Sequence, residues 1–260
     1  MEWSPQAALK AYLHTLHLCK VDKDEDLSLG NHTTATSIII EPKCMEFISA
    51  LAAGKRARLI LQITSQGITP MTVSLAVAAK QSGGRLIVWI NGQDVDRVEE
   101  ISKTLFVENG LDEVIEYVYG TDPCMLVKQL KNIDFAVVDF KLKDHLKLLK
   151  IMNFNPNGCV VVGTNVDDPE TKRDFGGPMI LDRVFKEKKG FRYVTLPLGE
   201  GMELTRFRAV GDGGKCHCQS KRYKRFHGKP NFYGHFQIQD IILAAPPAPL
   251  HTLPPPPQTP

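Results

Sequence analysis

The chain has 260 residues, 43% of them hydrophobic, and a formal net charge of +3. This composition suits one α/β domain with a sizeable core and appendages. It shows neither the start of a secretory signal nor an apolar run near the roughly 20 residues of a membrane helix. The six cysteines lack the spacing of a disulfide framework. We therefore expect a soluble intracellular protein, most simply a cytoplasmic one, without a membrane partner.

The N-terminal segment predicts two helices. Ser4 can cap the first helix, which Pro5 begins. Apolar residues then recur along it on one face: Ala8, Leu9, Tyr12, Leu13 and Leu16. Residues 43–53 predict a second, apolar helix that Gly54 ends. Residues 20–41 contain an acidic run and then three isoleucines, and we interpret them as a surface insertion, with a binding element as the alternative.

The next part of the chain alternates strand and helix patterns. Strands are predicted at residues 57–63, 86–90, 114–118, 135–138 and 159–162. Helices are predicted at residues 70–81, 94–109, 122–131, 141–150 and in the second half of 171–189. The continuous apolar runs are typical of parallel strands buried on both faces. A turn at Gly199-Glu200-Gly201 then joins residues 191–198 to 202–208 as a closing antiparallel hairpin. The pattern predicts an α/β fold with a doubly wound sheet.

The character of the chain changes near residue 209. We predict an α/β domain over residues 1–209, with N-terminal helices in 4–54 and the sheet in 57–209. Residues 210–260 are basic and then rich in proline, which predicts a disordered tail. The tail's Cys216-His217-Cys218 has no second pair of ligands at zinc-site spacing. Its basic aromatic run KRYKRFHGK suits phosphates. Without a predicted fold there we expect no nucleic-acid partner, with nucleic-acid binding through residues 215–229 as the alternative.

Polar residues follow the strands where each one ends. The loop TSQGIT at residues 64–69 follows the first strand, and Asn91 ends the second. Asp139 ends the fourth strand, and Thr164-Asn165 follow the fifth. In open parallel sheets ligands bind at the carboxyl ends of the strands, so we expect these side chains to lie near one another. His145, on the helix after strand four, is interpreted as solvated or packed, with a catalytic base as the alternative.

Several segments resemble known proteins. The WSP…AY start, EFISALAAG at residues 46–54 and the later strand–helix order resemble a plant family of uncharacterised domains related to S-adenosylmethionine-dependent methyltransferases. IDFAVVDFK, NPNGCVVVGTNV and LPLGEGMELTRFR resemble the cation-dependent small-molecule O-methyltransferases. The resemblance covers roughly residues 1–208. It implies a Rossmann-like methyltransferase sheet of seven mostly parallel strands, in which the hairpin supplies the one antiparallel strand.

The resemblance implies S-adenosylmethionine as the cofactor. Its predicted binding residues are Thr64, Ser65, Gly67, Asn91 and Asp139. In such enzymes a glycine-rich loop leaves room for the methionine part, and here that loop has one glycine, so a plain strand–helix connection is the alternative. Asn91 stands where they place a carboxylate for the ribose hydroxyls and keeps one carbonyl acceptor. The alternative for Asn91 is ordinary turn chemistry.

The resemblance also raises the question of a metal site. The cation-dependent enzymes bind a divalent ion through an Asp after strand four and an Asp-Asn pair after strand five, and the ion promotes deprotonation of the substrate hydroxyl. Asp139 and Asn165 match that set, but neutral Thr164 replaces its middle carboxylate. We therefore predict no divalent metal. Asp139 and Asn165 remain the candidate catalytic residues, with capping of the next helix as the alternative role of Asp139.

Two functions follow from these observations. The first is a methyltransferase-like protein that binds S-adenosylmethionine and, if active, methylates a small-molecule oxygen nucleophile. The second is a catalytically degenerate Rossmann-like module that acts in protein interaction. The single-glycine loop, the missing ribose carboxylate and the incomplete metal set favour the second function. Affinity for the cofactor separates the two.

Overall fold

The computed structural model describes residues 3–25, 42–91, 106–169, 171, 179–187 and 191–207. The chain divides into two compact units, of which the first holds Trp3–Gly213 and the second Gly214–Pro260. The second unit lies outside the described residues. So do the predicted insertion from residue 26 onward, most of the predicted helix at 94–109, and the tail. The domain boundaries at 209 and 210 stay predictions.

The described part of the first unit alternates helices and strands. Its helices are α1 Pro5–Glu25, α2 Pro42–Gly54, α3 Pro70–Ser82, α4 Pro123–Gln129, α5 His145–Ile151 and α6 Ile180–Phe185. Its strands are β1 Leu59–Ile63, β2 Arg85–Asn91, β3 Ile115–Gly120, β4 Phe135–Asp139, β5 Cys159–Thr164, β6 Arg192–Leu196 and β7 Met202–Phe207. None of the described helices is long and apolar enough to cross a bilayer.

The seven strands form one sheet in the order β3-β2-β1-β4-β5-β7-β6. The pairs among β1 to β5 are parallel, and β7 pairs antiparallel with both β5 and β6. This confirms the predicted doubly wound sheet with a closing hairpin. Strand β2, the next strand after β1 in the chain, pairs with one edge of β1, and β4 pairs with its other edge. The carboxyl ends of β1 and β4 are therefore the switch point at which such sheets bind ligands.

The central strands are buried on both faces. All residues of β1 and β4 are buried, as the continuous apolar runs LILQI and FAVVD predicted. Ile60 and Val137 belong to the apolar core beneath α1, α2 and α3, whereas Leu61 and Val138 belong to the core on the opposite face. Helix layers on both sides of the sheet thus fix its position.

Helix α1 packs through its small residues. Ala11 and Thr15 are fully buried, and the Thr15 hydroxyl donates to Ser49 Oγ on α2 at 2.9 Å. The larger residues that recur on the predicted apolar face point outward instead. Small side chains allow α1 to approach α2 closely, and a methyl group on Gly54 would overlap the ring of Trp3. The burial of α1 therefore depends mainly on close packing of small residues, and Leu18 is the one larger apolar side chain that the described part of α1 buries.

Caps explain where several helices begin. Ser4 Oγ accepts the backbone N–H of Ala7 at 3.3 Å, which confirms the predicted cap of α1. Asp122 Oδ1 accepts the N–H of Cys124 at 2.8 Å at the start of α4. The helix predicted from residue 141 begins later, at His145, because Asp139 holds the preceding residues in a turn through Lys141.

Candidate functional site

Asp139 is the centre of the polar cluster at the switch point. It ends β4, and its side chain is 2% exposed. Its Oδ2 accepts the backbone N–H of Ser65 at 3.1 Å and the Ser65 hydroxyl at 2.5 Å. Its Oδ1 accepts the N–H of Lys141 at 2.9 Å and the side-chain amide of Asn165 at 2.6 Å. Because a carboxylate has about four lone-pair positions, donors of the protein itself occupy all of them.

These four hydrogen bonds connect three loops. Ser65 belongs to the loop after β1, Lys141 to the turn after β4, and Asn165 to the loop after β5. Asn165 has a φ of 60°, in the left-handed region, and Thr164 O accepts the N–H of Phe140 at 3.1 Å. The structure thus brings the predicted residues Ser65, Asp139 and Asn165 together. Their arrangement holds the carboxyl edge of the sheet in one shape.

The side chains of this cluster are poor ligands for a metal ion. A divalent cation would have to displace hydrogen-bond donors from Asp139, and Thr164 adds no charge. Among the described residues, no group of three or more His, Cys, Asp or Glu side chains could hold a metal. The carboxylate of Asp168, close behind in sequence, instead lies 3.1 Å from Lys141 Nζ.

The loop after β1 makes a tight connection into α3. Thr64 Oγ1 accepts the N–H of Gln66 at 3.1 Å, and Gly67 has a φ of 72°. Thr69 then precedes the helix, and its N–H donates to Thr72 Oγ1 at 3.0 Å. Only glycine adopts the left-handed conformation of Gly67 without strain. The loop therefore brings its backbone close to the start of α3.

Gln62 is a site residue that sequence reasoning missed. It lies on β1, 2% exposed, and its Nε2 is 3.5 Å from Thr69 Oγ1 at the start of α3. Its Oε1 accepts no hydrogen bond from the described residues. A buried carbonyl oxygen without a donor costs about 1–3 kcal/mol. The signal in the sequence was one polar residue inside the apolar strand LILQI.

Asn91 stands at the end of β2, opposite Gly120 on β3, and is half-buried. It therefore lies at the carboxyl edge, as predicted. Residues 92–105 lie outside the described residues.

Lys141 connects the cluster to the closing hairpin. Its Nζ lies 3.1 Å from Asp168 Oδ2 and 3.1 Å from Glu200 Oε2 in the hairpin turn. Burial opposes the charge of Lys141, but the two carboxylates outweigh it and raise the pKa of the ammonium group. The backbone adds a bond from the N–H of Asp167 to Glu200 O at 2.8 Å. The hairpin thus supports the loop that carries Asn165.

His145, predicted to be either solvated or packed, is packed. The side chain is fully buried, its Nδ1 lies 2.6 Å from Leu142 O, and its ring stacks on Phe140 at a centroid distance of 4.9 Å. Burial lowers the pKa of the imidazole, so it is neutral near pH 7.

Solved methyltransferases share this fold. A methyltransferase from Geobacter sulfurreducens is 17% identical, with a TM-score of 0.52, covering 74% of this chain and 97% of that chain. The SAH-bound methyltransferase PaMTH1 from Podospora anserina is 12% identical, with a TM-score of 0.50 and coverages of 80% and 90%. The O-methyltransferase TomG from Streptomyces achromogenes, in complex with SAM, is 17% identical, with a TM-score of 0.50 and coverages of 76% and 90%. At these identities the likeness shows the fold alone.

The sequence itself identifies the family. No curated protein matches it. Residues 1–230 match the family described as "Protein of unknown function (DUF1442)". The plant origin that the resemblance implied stays a prediction. The match extends over most of the 260 residues, and the chain belongs to this family.

Proposed function

We propose that the protein binds S-adenosylmethionine at the carboxyl ends of β1, β2 and β4, and that it methylates a small-molecule oxygen nucleophile. The fold, shared with methyltransferases solved with SAH or SAM, supports this proposal. One observation carries it further, namely the buried Oε1 of Gln62, which accepts no hydrogen bond from the described residues.

The surroundings of Gln62 suit an amino-acid group. An ammonium group is a hydrogen-bond donor and would satisfy Gln62 Oε1. A carboxylate is favoured at the start of a helix such as α3, where backbone N–H groups and the helix dipole attract negative charge. The methionine part of S-adenosylmethionine carries both groups. Gly67, at a φ of 72°, would let the loop backbone approach it closely.

The other predicted cofactor residues take related roles in this proposal. Asn91 offers an amide to a ribose hydroxyl, and Thr64 belongs to the same loop as Gly67. Ser65 already donates its N–H and its hydroxyl to Asp139, so it shapes the loop. Asp139 is thus a positioning residue for the loop, and direct contact of Asp139 or Asn165 with the methyl acceptor stays a prediction.

Catalysis in this proposal depends on orientation. S-adenosylmethionine supplies an electrophilic methyl group when it is bound. The chain's own contribution is to hold the acceptor oxygen in line with that group, which reduces the entropic part of the barrier. No step passes through a metal ion, because Asp139 is saturated with donors of the protein and Thr164 is neutral.

The saturation of Asp139 also favours the second candidate, a catalytically degenerate module that acts in protein interaction. A carboxylate whose lone pairs all accept hydrogen bonds from the loops has none left to accept one from a substrate hydroxyl. In such a protein the sheet and its loops would be retained as a scaffold. This candidate predicts no transfer of a methyl group to any acceptor.

The Gln62→Leu variant tests the binding proposal. Leucine has a similar volume and removes the acceptor without leaving a cavity. We expect its affinity for S-adenosylmethionine, measured by calorimetry on the full chain, to fall at least tenfold, which corresponds to about 1.4 kcal/mol. Stability in urea should stay equal or rise, because a buried oxygen without a donor is removed. The matched control is Gln129→Leu, at an exposed position on α4.

Two results would contradict the binding proposal. One is unchanged affinity in Gln62→Leu, and the other is an equal loss in the Gln129→Leu control. If binding is confirmed, small hydroxylated acceptors are tested for methyl transfer in the presence of magnesium and of a chelator. The absence of transfer to every acceptor, with binding intact, would favour the degenerate module.

A further inference from the structure

Three basic side chains lie in a row at the amino edge of the sheet, opposite the edge of the proposed cofactor site. Arg206 on β7 and Arg192 on β6 are directly opposite each other in the register of the hairpin. Lys55, just after α2, donates from its Nζ to Gly158 O at 2.7 Å, immediately before β5. We call Lys55, Arg192 and Arg206 the amino-edge basic cluster.

The members of this cluster lie on one face of the sheet. Arg206 is opposite Val160 on β5, and residues directly opposite in paired strands share a face. Val160 belongs to the apolar core beneath α1, α2 and α3, so Arg206 and Arg192 lie on the α2 side, from which Lys55 comes. Neighbouring strands are about 4.8 Å apart, so the cluster extends over about 10 Å across β5, β7 and β6.

The described residues provide no carboxylate to balance the two arginines. Both side chains are exposed, and the ion pairs that the described residues form involve other basic side chains. On β7, Glu203 accepts backbone N–H groups of α6, on the opposite face of the sheet. Glu46 on α2 is buried, and residues 5–21 of α1 contain no Asp or Glu. The charges of Arg192 and Arg206 are thus unbalanced within the described part of the chain.

Repulsion acts inside the cluster. Like charges directly opposite each other destabilise a pair of strands, and a guanidinium group stays charged at every physiological pH. Burial is the largest cause that lowers the pKa of Lys55. Cys159 and Asp134 raise that pKa, and the charge of Arg206 lowers it again. Asp134 is held inward, because its oxygens accept two backbone N–H groups and the amide of Asn155. A bound anion would therefore relieve the repulsion.

We propose that the amino-edge basic cluster binds a small diphosphate. The neighbouring guanidinium groups of Arg192 and Arg206 can each form paired hydrogen bonds with phosphate oxygens. Lys55 Nζ, at the other end of the row, supplies donors for the second phosphate group. The row accommodates two linked phosphates, whereas grooves for single-stranded nucleic acid take about four or more nucleotides. The site is separate from the cofactor site, because it lies at the opposite edge of the sheet.

Calorimetric titration of the full chain with pyrophosphate, at constant ionic strength, tests this proposal. We expect saturable binding in the parent chain and at least about a tenfold loss of affinity in Arg206→Gln. Without ligand this variant should be as stable as the parent or more stable, because it removes the like charge opposite Arg192. The matched control is Arg85→Gln, on an exposed arginine that pairs with Glu116, and it should bind like the parent.

The titration of Lys55, followed by NMR of its side chain, gives a second readout. Arg206→Gln should raise the pKa of Lys55, because the charge of Arg206 lowers it in the parent chain. Pyrophosphate should also raise that pKa in the parent chain, because a nearby negative charge favours the ammonium form. A pKa that moves in neither case would contradict the proposed site.

Three results would overturn the proposal. The first is no saturable binding of pyrophosphate, or an equal effect of sodium chloride at the same ionic strength. The second is unchanged affinity in Arg206→Gln, or an equal loss in Arg85→Gln, because the anion would then bind elsewhere, such as at the basic residues 215–229. The third is a single-stranded oligonucleotide that binds at least about tenfold more tightly than pyrophosphate and is lost in Arg206→Gln, because nucleic acid would then be the ligand.

Discussion

Replacing Asp139 by Asn separates a residue that holds loops from one that binds ligand. In the variant, the new amide NH₂ can face Ser65, whose hydroxyl can turn to accept it. The amide oxygen can keep the N–H of Lys141 and the amide of Asn165. The backbone N–H of Ser65 then loses its acceptor, and the remaining bonds lose the strength that the charge gives them.

One buried N–H without an acceptor costs about 1–3 kcal/mol, and weaker bonds to a neutral group add to that loss. We therefore expect Asp139→Asn to lower the free energy of unfolding by about 2–4 kcal/mol, measured by urea titration with circular dichroism. The control is Asp144→Asn, at an exposed position where the side chain makes no capping bond, and it should stay within about 0.5 kcal/mol of the parent.

The same two variants also report on the cofactor. If Asp139→Asn were as stable as Asp144→Asn, the carboxylate would not hold the loops and our reasoning would be refuted. Full stability together with lost binding of S-adenosylmethionine would make Asp139 a ligand-binding residue.

Three further substitutions test the packing around the site. Glu203 is buried and accepts the first backbone N–H groups of α6, so Glu203→Gln should cost about 2 kcal/mol in urea, whereas exposed Glu116→Gln should change little. Gly163→Ala would overlap the ring of Phe140 and should cost about 1–3 kcal/mol; a smaller residue at 140 should recover part of it, and no recovery would contradict the overlap. Burial lowers the folded-state pKa of His145 below 6.5, the ordinary value that applies to the unfolded chain. At a pH between the two pKa values the unfolded chain therefore binds more protons, and stability should fall as the pH drops below 6.5. A His145→Asn variant should lose this slope below about pH 6.5, and an unchanged slope would assign it to other groups.

The sheet could be predicted because its strands are continuous apolar runs. Runs such as FAVVD in β4 are buried on both faces in any parallel sheet, so their pattern indicates both the strand and its place at the centre. The Gly199–Gly201 turn likewise predicted the hairpin of β6 and β7. These features depend on residues that are close in sequence.

Features that depend on distant contacts could not be predicted. The buried face of α1 is decided by close approach to α2, and only the folded chain shows that Ala11 is inside and Leu13 outside. The late start of α5 is a local feature: it follows from the bond between Asp139 and Lys141, which the apolar pattern of residues 141–150 does not reveal. Gln62 was missed because one polar residue in an apolar strand has no signature until the structure shows that its Oε1 is buried without a donor.

Calorimetric titration of the full chain with S-adenosylhomocysteine tests the central claim most directly. A folded sample should bind one equivalent with micromolar affinity, and the heat should be lost in Gln62→Leu but kept in Gln129→Leu. No binding up to millimolar ligand from a folded sample would contradict cofactor binding and leave the interaction module as the function to pursue.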